Sequence, residues 1–339
     1  MEVSVLVLLV LVVPFAFGFQ CTQKHTNSYL VIDNDAGSDD AMAIFLSLLF
    51  HEHYDGPELV GLTTARGEHR RAQGLPQQPN CFENCKQTAY QLDIFQVPIY
   101  RGTDKSIVFS SDLTYYHGTD GLGDNNLTYE GLAPARNVTA ANALIEASKL
   151  YEGKLIVVTL GPVTNVGLAV ALDPDFLGRL KHLYVAAGHI HNEVHVEAEF
   201  NARTDAEAYH IIAENATPEK VTIIPFSQVK DHLDLSKEWR NNVLGAIDTD
   251  IMNAQNLFER VSQNRSDSWR SLDPAAAAVA LCPDLVRTKK YYTTGIELCG
   301  DRRGITTNME SDKPNVGVVY DFQAADYQQF LLDVFAARS

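Results

Sequence analysis

The sequence predicts an α/β fold: a single large domain with a mostly parallel sheet and helices on both faces. Three observations predict it. Short apolar runs alternate with stretches whose apolar residues recur at helical spacing, the order expected of a parallel sheet. The run Leu155-Ile156-Val157-Val158-Thr159-Leu160 is almost wholly apolar, as a strand covered on both faces requires. No internal repeat, low-complexity tract or interdomain linker divides the chain.

Taken in order, the first strand runs from Leu30 to Asp33, and a turn leads from it into a helix over 41–50. A second strand covers 58–63. Residues 67–79, rich in Gln, Pro and Arg, read as an exposed loop. A helix over 84–95 and a short strand over 97–100 follow. Residues 112–131 carry Gly, Asp and Tyr without a clear period, and a loop of that length in a compact domain is usually functional or mobile. A helix over 139–151 leads into the strand at 155–160. That strand stops at Gly161-Pro162, and Thr164-Asn165 opens another helix. Then come a strand over 182–187, a helix over 205–213, a strand over 221–225 and a mostly helical stretch over 235–261. An Ala-rich helix over 274–281 is capped by Asp273. A last strand covers 316–320 and a last helix 327–336. In such sheets ligands bind outside the carboxyl ends of the strands, where the turns after Asp33, Leu160 and Ala187 gather.

At 339 residues the chain can bury a large core. Its formal net charge of -16 argues against nucleic-acid binding and against docking on anionic membranes. Residues 3–17 are apolar apart from Ser4 and end at Ala16-Phe17-Gly18. They read as a signal peptide over 1–18, leaving a domain over 19–339 that is secreted and extracellular. The run is shorter than the roughly 20 residues of a spanning helix, and Pro14 interrupts it. In an oxidising compartment the cysteines are expected to pair as Cys81 with Cys85 and Cys282 with Cys299, leaving Cys21 over. Glycosylation sequons stand at Asn126, Asn137, Asn215 and Asn264; Pro218 directly follows the third.

The chemistry concentrates at Asp33-Asn34-Asp35-Ala36-Gly37-Ser38-Asp39-Asp40, four aspartates within eight positions at a strand-to-helix turn. Helix capping and the helix dipole account for one or two of them. Four carboxylates beside a buried strand repel one another and resist ionising unless a cation sits among them. No His or Cys lies inside the cluster, so the donors are hard oxygens, suited to calcium or magnesium. The stretch does not fit an EF-hand loop, which needs helices on both sides and a Glu at its twelfth position.

These residues, with others further on, resemble the inosine-uridine-preferring nucleoside hydrolases. The family opens with Asp-x-Asp-Pro-Gly-x-Asp-Asp, and here Ala36 replaces the Pro. The resemblance continues through Val60-Gly61-Leu62-Thr63-Thr64, His117-Gly118 with Gly121-Leu122-Gly123, and Leu160-Gly161-Pro162-Val163-Thr164-Asn165. It then takes in Ala198-Glu199-Phe200-Asn201 with Asp205, and Asp273-Pro274, and so spans about residues 29–335. It implies a Rossmann-type nucleoside hydrolase domain that cleaves the N-glycosidic bond of ribonucleosides with bound calcium. It also implies a homo-oligomer. Carried over residue by residue, Asp35, Asp40 and Asp273 ligate calcium by carboxylates and Leu160 by its backbone carbonyl. Asp39 removes a proton from a calcium-bound water. Glu199 and Asn201 hold the ribose, Glu68 stands where the family has a ribose-binding Asn, and His117 lies near the base. Asp33 shapes the turn.

Two departures bear on the base. Gly67-Glu68 stands where the family has Gly-Asn, and Leu272 stands where inosine- and uridine-preferring members carry a His credited with protonating the base. A pocket without that His must stack the base or take one that is easier to protonate, which tilts the expectation towards purines. Trp239, Phe258 and Trp269 are candidate stacking partners, and Asn192 is a candidate for a family Asn upstream of Ala-Glu-Phe-Asn. Two other functions remain open on the sequence. One is a family member that binds nucleosides without turnover. The other is a phosphatase of the haloacid dehalogenase type, whose Asp-x-Asp nucleophile motif usually has Thr or Val where Gly37 stands here.

Overall fold

The computed structural model describes residues 21–65, 84, 88, 97–109, 115–125, 136–233 and 235–337. The signal peptide expected over 1–18, the loop expected over 67–79, Glu68, Cys81, Cys85, Asn126 and most of the helix expected over 84–95 lie outside the described residues.

The strands β1 (Tyr29–Asn34), β2 (Glu58–Thr64), β3 (Ile99–Arg101), β4 (Leu155–Thr159), β5 (His182–Ala186), β6 (Val221–Ile224), β7 (Val286–Ile296), β8 (Thr306–Met309) and β9 (Val316–Phe322) form one sheet. Their order is β3-β2-β1-β4-β5-β6-β9-β7-β8. The first six strands and β9 run parallel, while β7 pairs antiparallel with β9 and β8. β1 lies between β2 and β4, so the connections leaving its two neighbours diverge at its carboxyl end. That is the topological switch point, where such sheets open a crevice.

The main helices are α1 (Ser38–Tyr54), α2 (Ala140–Leu150), α3 (Thr164–Leu172), α4 (Phe200–Thr204), α5 (Ala206–Asn215), α6 (Phe226–His232), α7 (Asp250–Phe258), α8 (Leu272–Leu281) and α9 (Ala324–Ala336). They cover both faces of the sheet. In β1, Leu30 and Ile32 join the core under α1, α8 and α9, while Val31 joins the core under α2, α3 and α5. This is the period-2 alternation of a strand buried on both sides. Ala275, Ala276, Ala277, Ala278 and Ala280 of α8 are almost fully buried. Side chains that small let α8 lie close against α1, which sets the first turns of the two helices side by side.

Several sequence expectations need correction. The stretch 235–261 is mostly helical, as expected, but in separate pieces. It breaks into a short helical turn at Lys237–Trp239, a π-helical turn at Arg240–Leu244, and α7, which starts afresh with the Thr249 hydroxyl accepting from the Met252 amide. Asp273 is not the cap of the Ala-rich helix. Ser271 holds that position, and Asp273 lies inside the first turn. The antiparallel pair β7 and β8 was not anticipated, because the charges of Arg287, Lys289 and Lys290 mask an alternating strand pattern.

The expected Cys282–Cys299 bridge is also wrong. Cys282 ends α8 and bonds to Cys21, with Cα atoms 5.6 Å apart. The N-terminal segment is docked there by His25 Nε2 on the Leu281 carbonyl at 2.6 Å and by the Thr22 amide and hydroxyl donating to Asp284. Cys299 is free and exposed, because the 11-residue strand β7 carries the chain about 35 Å away before reaching it. Asn137, Asn215 and Asn264 are all exposed.

Candidate active site

The site is built on the turn after β1. Asp33, the last residue but one of that strand, accepts from the Thr63 hydroxyl at 2.6 Å and from Asn165 Nδ2 at 2.8 Å. Burial pushes its carboxyl up to about 7 despite both donors. Asp33 is thus a strap between β1, β2 and α3. Ala36 has φ 58°, in the left-handed region. Proline cannot adopt that angle, so an Ala at this position suits the backbone path. Gly37 is the N-cap of α1; a Cβ there would come 2.9 Å from the His117 ring.

Helix α1 begins at Ser38, earlier than its apolar pattern suggests, so Asp39 and Asp40 fall in its first turn. Asp40, at the third helical position, accepts from the amide of the N-cap Gly37 at 2.8 Å and from the Asp35 amide at 3.1 Å. Its carboxyl is pushed up to about 6, first by burial and then by the charge on Asp39. Asp273 arrives from α8. Burial, and after it the charges of Asp39, Asp40 and Asp35, hold its carboxyl well above the ordinary carboxylate range. Ligand oxygens of Asp39, Asp40 and Asp273 lie within 4.8 Å of one another.

Three acids this close in a buried setting are destabilised as anions, and a hard cation relieves all three at once. The oxygen-only donor set fits calcium or magnesium. Asp35 and Leu160 line the same cleft, so they stand within the surroundings of this acid group.

The opposite wall comes from the turn after β5. Glu199 caps α4, with Oε1 accepting from the Asn201 amide and Oε2 from the Gly188 and Ala202 amides, all at 2.8–2.9 Å. Burial raises its carboxyl and the three N–H donors oppose the rise. Asn201 Nδ2 donates to the carbonyls of Leu160 and Ala186 at 2.8 and 2.9 Å. Both amide hydrogens are therefore used, and the amide oxygen is the group Asn201 can offer to a ligand hydroxyl.

The cleft encloses about 170 Å³. Acids and amides (Asp35, Asp39, Asp273, Glu199, Asn201) make one part of its lining. Tyr116, His117, Phe200, Phe226 and Leu272, with Arg270, make the rest. His117 Nε2 stands 3.3 Å from Asp39 Oδ1.

Asp35, Asp39, Leu160, Asp273, Glu199, Asn201 and His117 of the sequence-derived set thus meet in one cleft, with Asp40 directly behind it. The aromatic assignments do not hold. Phe258 and Trp269 are buried in the core, where Trp269 lies 6.1 Å from Trp239 and under the Arg240 guanidinium. Asn192 turns its own loop by accepting from the amides of Val194 and His195. Tyr116 and Phe226 were missed, since neither carries a motif. Position was the available signal: Tyr116 directly precedes the quoted His117-Gly118, and Phe226 lies just past the end of β6.

Comparison with known proteins agrees with this architecture. The family described as "Inosine-uridine preferring nucleoside hydrolase" matches residues 30–330. A probable uridine nucleosidase 2 of Arabidopsis thaliana is 28% identical over 335 residues, covering 90% of this chain and 96% of the relative. An inosine-uridine preferring nucleoside hydrolase of Leishmania major is 27% identical over 288 residues, covering 83% and 86%. The solved structure titled "Inosine-Guanosine Nucleoside Hydrolase (IG-NH)" superposes with a TM-score of 0.79 at 22% identity, covering 92% of this chain and all of that one, which is a likeness of fold. With the family pattern matched along nearly the whole described chain, the protein belongs to the inosine-uridine preferring nucleoside hydrolases, a family of N-glycosidases.

Proposed function

We propose that this chain is a calcium-dependent nucleoside hydrolase that acts outside the cell and in which Asp39 activates the attacking water. The observation that carries the reading is the convergence of Asp39, Asp40 and Asp273 in a cleft whose other wall is Glu199 and Asn201. Asp35, Asp40 and Asp273, with the Leu160 carbonyl, would hold the ion. Bound there, calcium supplies a positive charge that lowers the pKa of an attacking water and aligns ribose hydroxyls.

The chain's own groups do the rest. Asp39 is less buried than Asp40 and lines the cleft, so it is the carboxylate placed to accept a proton from water. Asn201 offers its amide oxygen to a ribose hydroxyl, and Glu199 its remaining lone pairs. As the glycosidic bond breaks, the sugar takes on oxocarbenium character, and the surrounding carboxylates favour that charge. The aromatic rings of Tyr116, Phe200 and Phe226 offer flat apolar surface for a base. The leader sequence and the exposed sequons at Asn137, Asn215 and Asn264 support the extracellular setting.

The test is ribose release from inosine, adenosine, uridine and cytidine by the protein secreted from a eukaryotic host. It is run with calcium, with a chelator, and with Asp39→Asn. Release that needs both calcium and Asp39 supports the reading. A folded, calcium-loaded protein that releases no ribose overturns it.

A further inference from the structure

Among the residues lining the cleft, Arg270 is the single Lys or Arg, set against the carboxylates of Asp35, Asp39, Glu199 and Asp273. It makes no ion pair or hydrogen bond with a described residue, so its five N–H donors are uncommitted. It precedes Leu272 by two positions and shares a second small recess with Tyr116 and His117. Its charge is felt across the mouth: Lys230, whose ammonium lies 5.4 Å from the Phe226 ring, is lowered first by burial and then by Arg270. A cation therefore lines the cleft together with its aromatic residues, where a flat base fits.

We propose that Arg270 is a catalytic residue that holds the negative charge the departing base acquires, so that the base leaves as an anion. The assignment rests on the nucleoside hydrolase reading above. In the step, the bond from ribose C1′ to the base nitrogen breaks and its electron pair stays on the base. The charge spreads to the ring carbonyl oxygens, which accept from the guanidinium. The water oxygen bonds to C1′, and the proton it loses goes to Asp39. The free base anion then takes a proton from solvent, and Asp39 returns its own to solvent.

One observation and one property of the guanidinium favour charge stabilisation over proton donation from Leu272 or Arg270. Leu272, in the cleft wall, has no proton to give. A guanidinium does not deprotonate, yet it offers paired N–H donors of fixed geometry to an oxygen-rich edge. Such a device favours bases with an acidic N–H and a carbonyl edge. It gives less to adenine and cytosine, whose amino groups present donors to a donor.

The experiment compares Arg270→Gln and Arg270→Lys with wild type on inosine, adenosine and p-nitrophenyl β-riboside, using the full secreted chain. Nitrophenolate is a stable anion that needs little help. Arg270→Gln is expected to lower kcat/KM about 100-fold on inosine but less than about threefold on the nitrophenyl riboside, the scale of losing one charge-stabilising donor. Arg270→Lys is expected to recover part of the loss on inosine. Retained stabilisation by calcium shows that each variant is folded. An equal fall on inosine and on the nitrophenyl riboside, or no fall on inosine, overturns the assignment. A wild type that cleaves the nitrophenyl riboside but no nucleoside overturns the role of Arg270 alone. A wild type that cleaves neither overturns the reading beneath it.

Discussion

His117 Nε2 stands 3.3 Å from Asp39 Oδ1 while His117 Nδ1 lies 2.8 Å from the Ser38 hydroxyl. One imidazole thus clamps the first turn of α1 from the side of the loop at 115–125. Gly37 leaves the space for it. The clamp orients the carboxylate proposed to take the proton of water. His117→Ala is expected to lower kcat about 10- to 100-fold with a smaller change in KM, the cost of a misaligned base. In an Asp39→Asn background the same substitution should cost far less, because the partner it orients is gone. Losses that simply add would show that the two side chains act independently.

The acid group makes stability depend on the ion. Asp40 and Asp273 are both raised by burial and by neighbouring carboxylates, so the fold without a cation holds unfavourable charge. A cation bound only by the folded state adds about 2.7 kcal/mol at a concentration a hundred times its Kd. Calcium is therefore expected to raise Tm in a concentration-dependent way, and Asp273→Asn to remove most of that response. Scanning calorimetry in calcium, in magnesium and in chelator measures it. A Tm indifferent to both ions would sink the metal-site reading.

The fold was legible where burial on both faces imposed it. Strands such as β4, apolar almost throughout, have no other stable home, and the turn after β1 announced itself by its charge. The site residues were legible for the same reason: acids crowded beside a buried strand need a partner. What failed depended on contacts distant in sequence. β7 alternates, but Arg287, Lys289 and Lys290 stand where one face meets solvent, and its pairing with β9 is set only in three dimensions. Cys282 finds Cys21 across 261 residues because the N-terminal segment docks on the end of α8. No local spacing carries that information. Trp269 reads as a candidate ring for the base, yet its indole nitrogen donates to the buried Glu259, and that pairing draws it into the core.

The Cys21–Cys282 bond closes most of the chain into a loop. Removing it frees the unfolded state, and a native disulfide typically contributes about 2–4 kcal/mol. Cys21→Ser should lower stability by that order in urea, and it should also loosen the docking of His25 on Leu281. Cys299→Ser, at an exposed free thiol, should change stability by less than about 0.5 kcal/mol, the ordinary range for a surface site. Peptide mapping without reduction gives the direct check. A Cys282–Cys299 peptide in the purified protein would contradict this pairing.

His182 makes the fold sensitive to acid. Its Nε2 lies 2.7 Å from the Thr222 hydroxyl, which also accepts from Lys289 Nζ at 2.9 Å. Burial, and after it the charge of Lys289, lower the imidazole to about 4. In the unfolded chain the ring titrates at its ordinary value near 6.5, so between pH 6.5 and 4 the unfolded state binds the proton first. Stability contributed by neutral His182 is thus intact above about pH 6.5 and falls as the pH drops, by up to about 1.4 kcal/mol per unit, until the folded ring itself protonates. His182→Gln keeps a polar partner for Thr222 and has no proton to take up. Urea unfolding at pH 7 and pH 5 should show the wild type losing more stability than the variant across that interval. His189, also lowered by burial, acts with the same sign in both proteins, so the difference between them isolates His182. Equal losses in the two would mean that His182 takes up its proton alike in the folded and unfolded states.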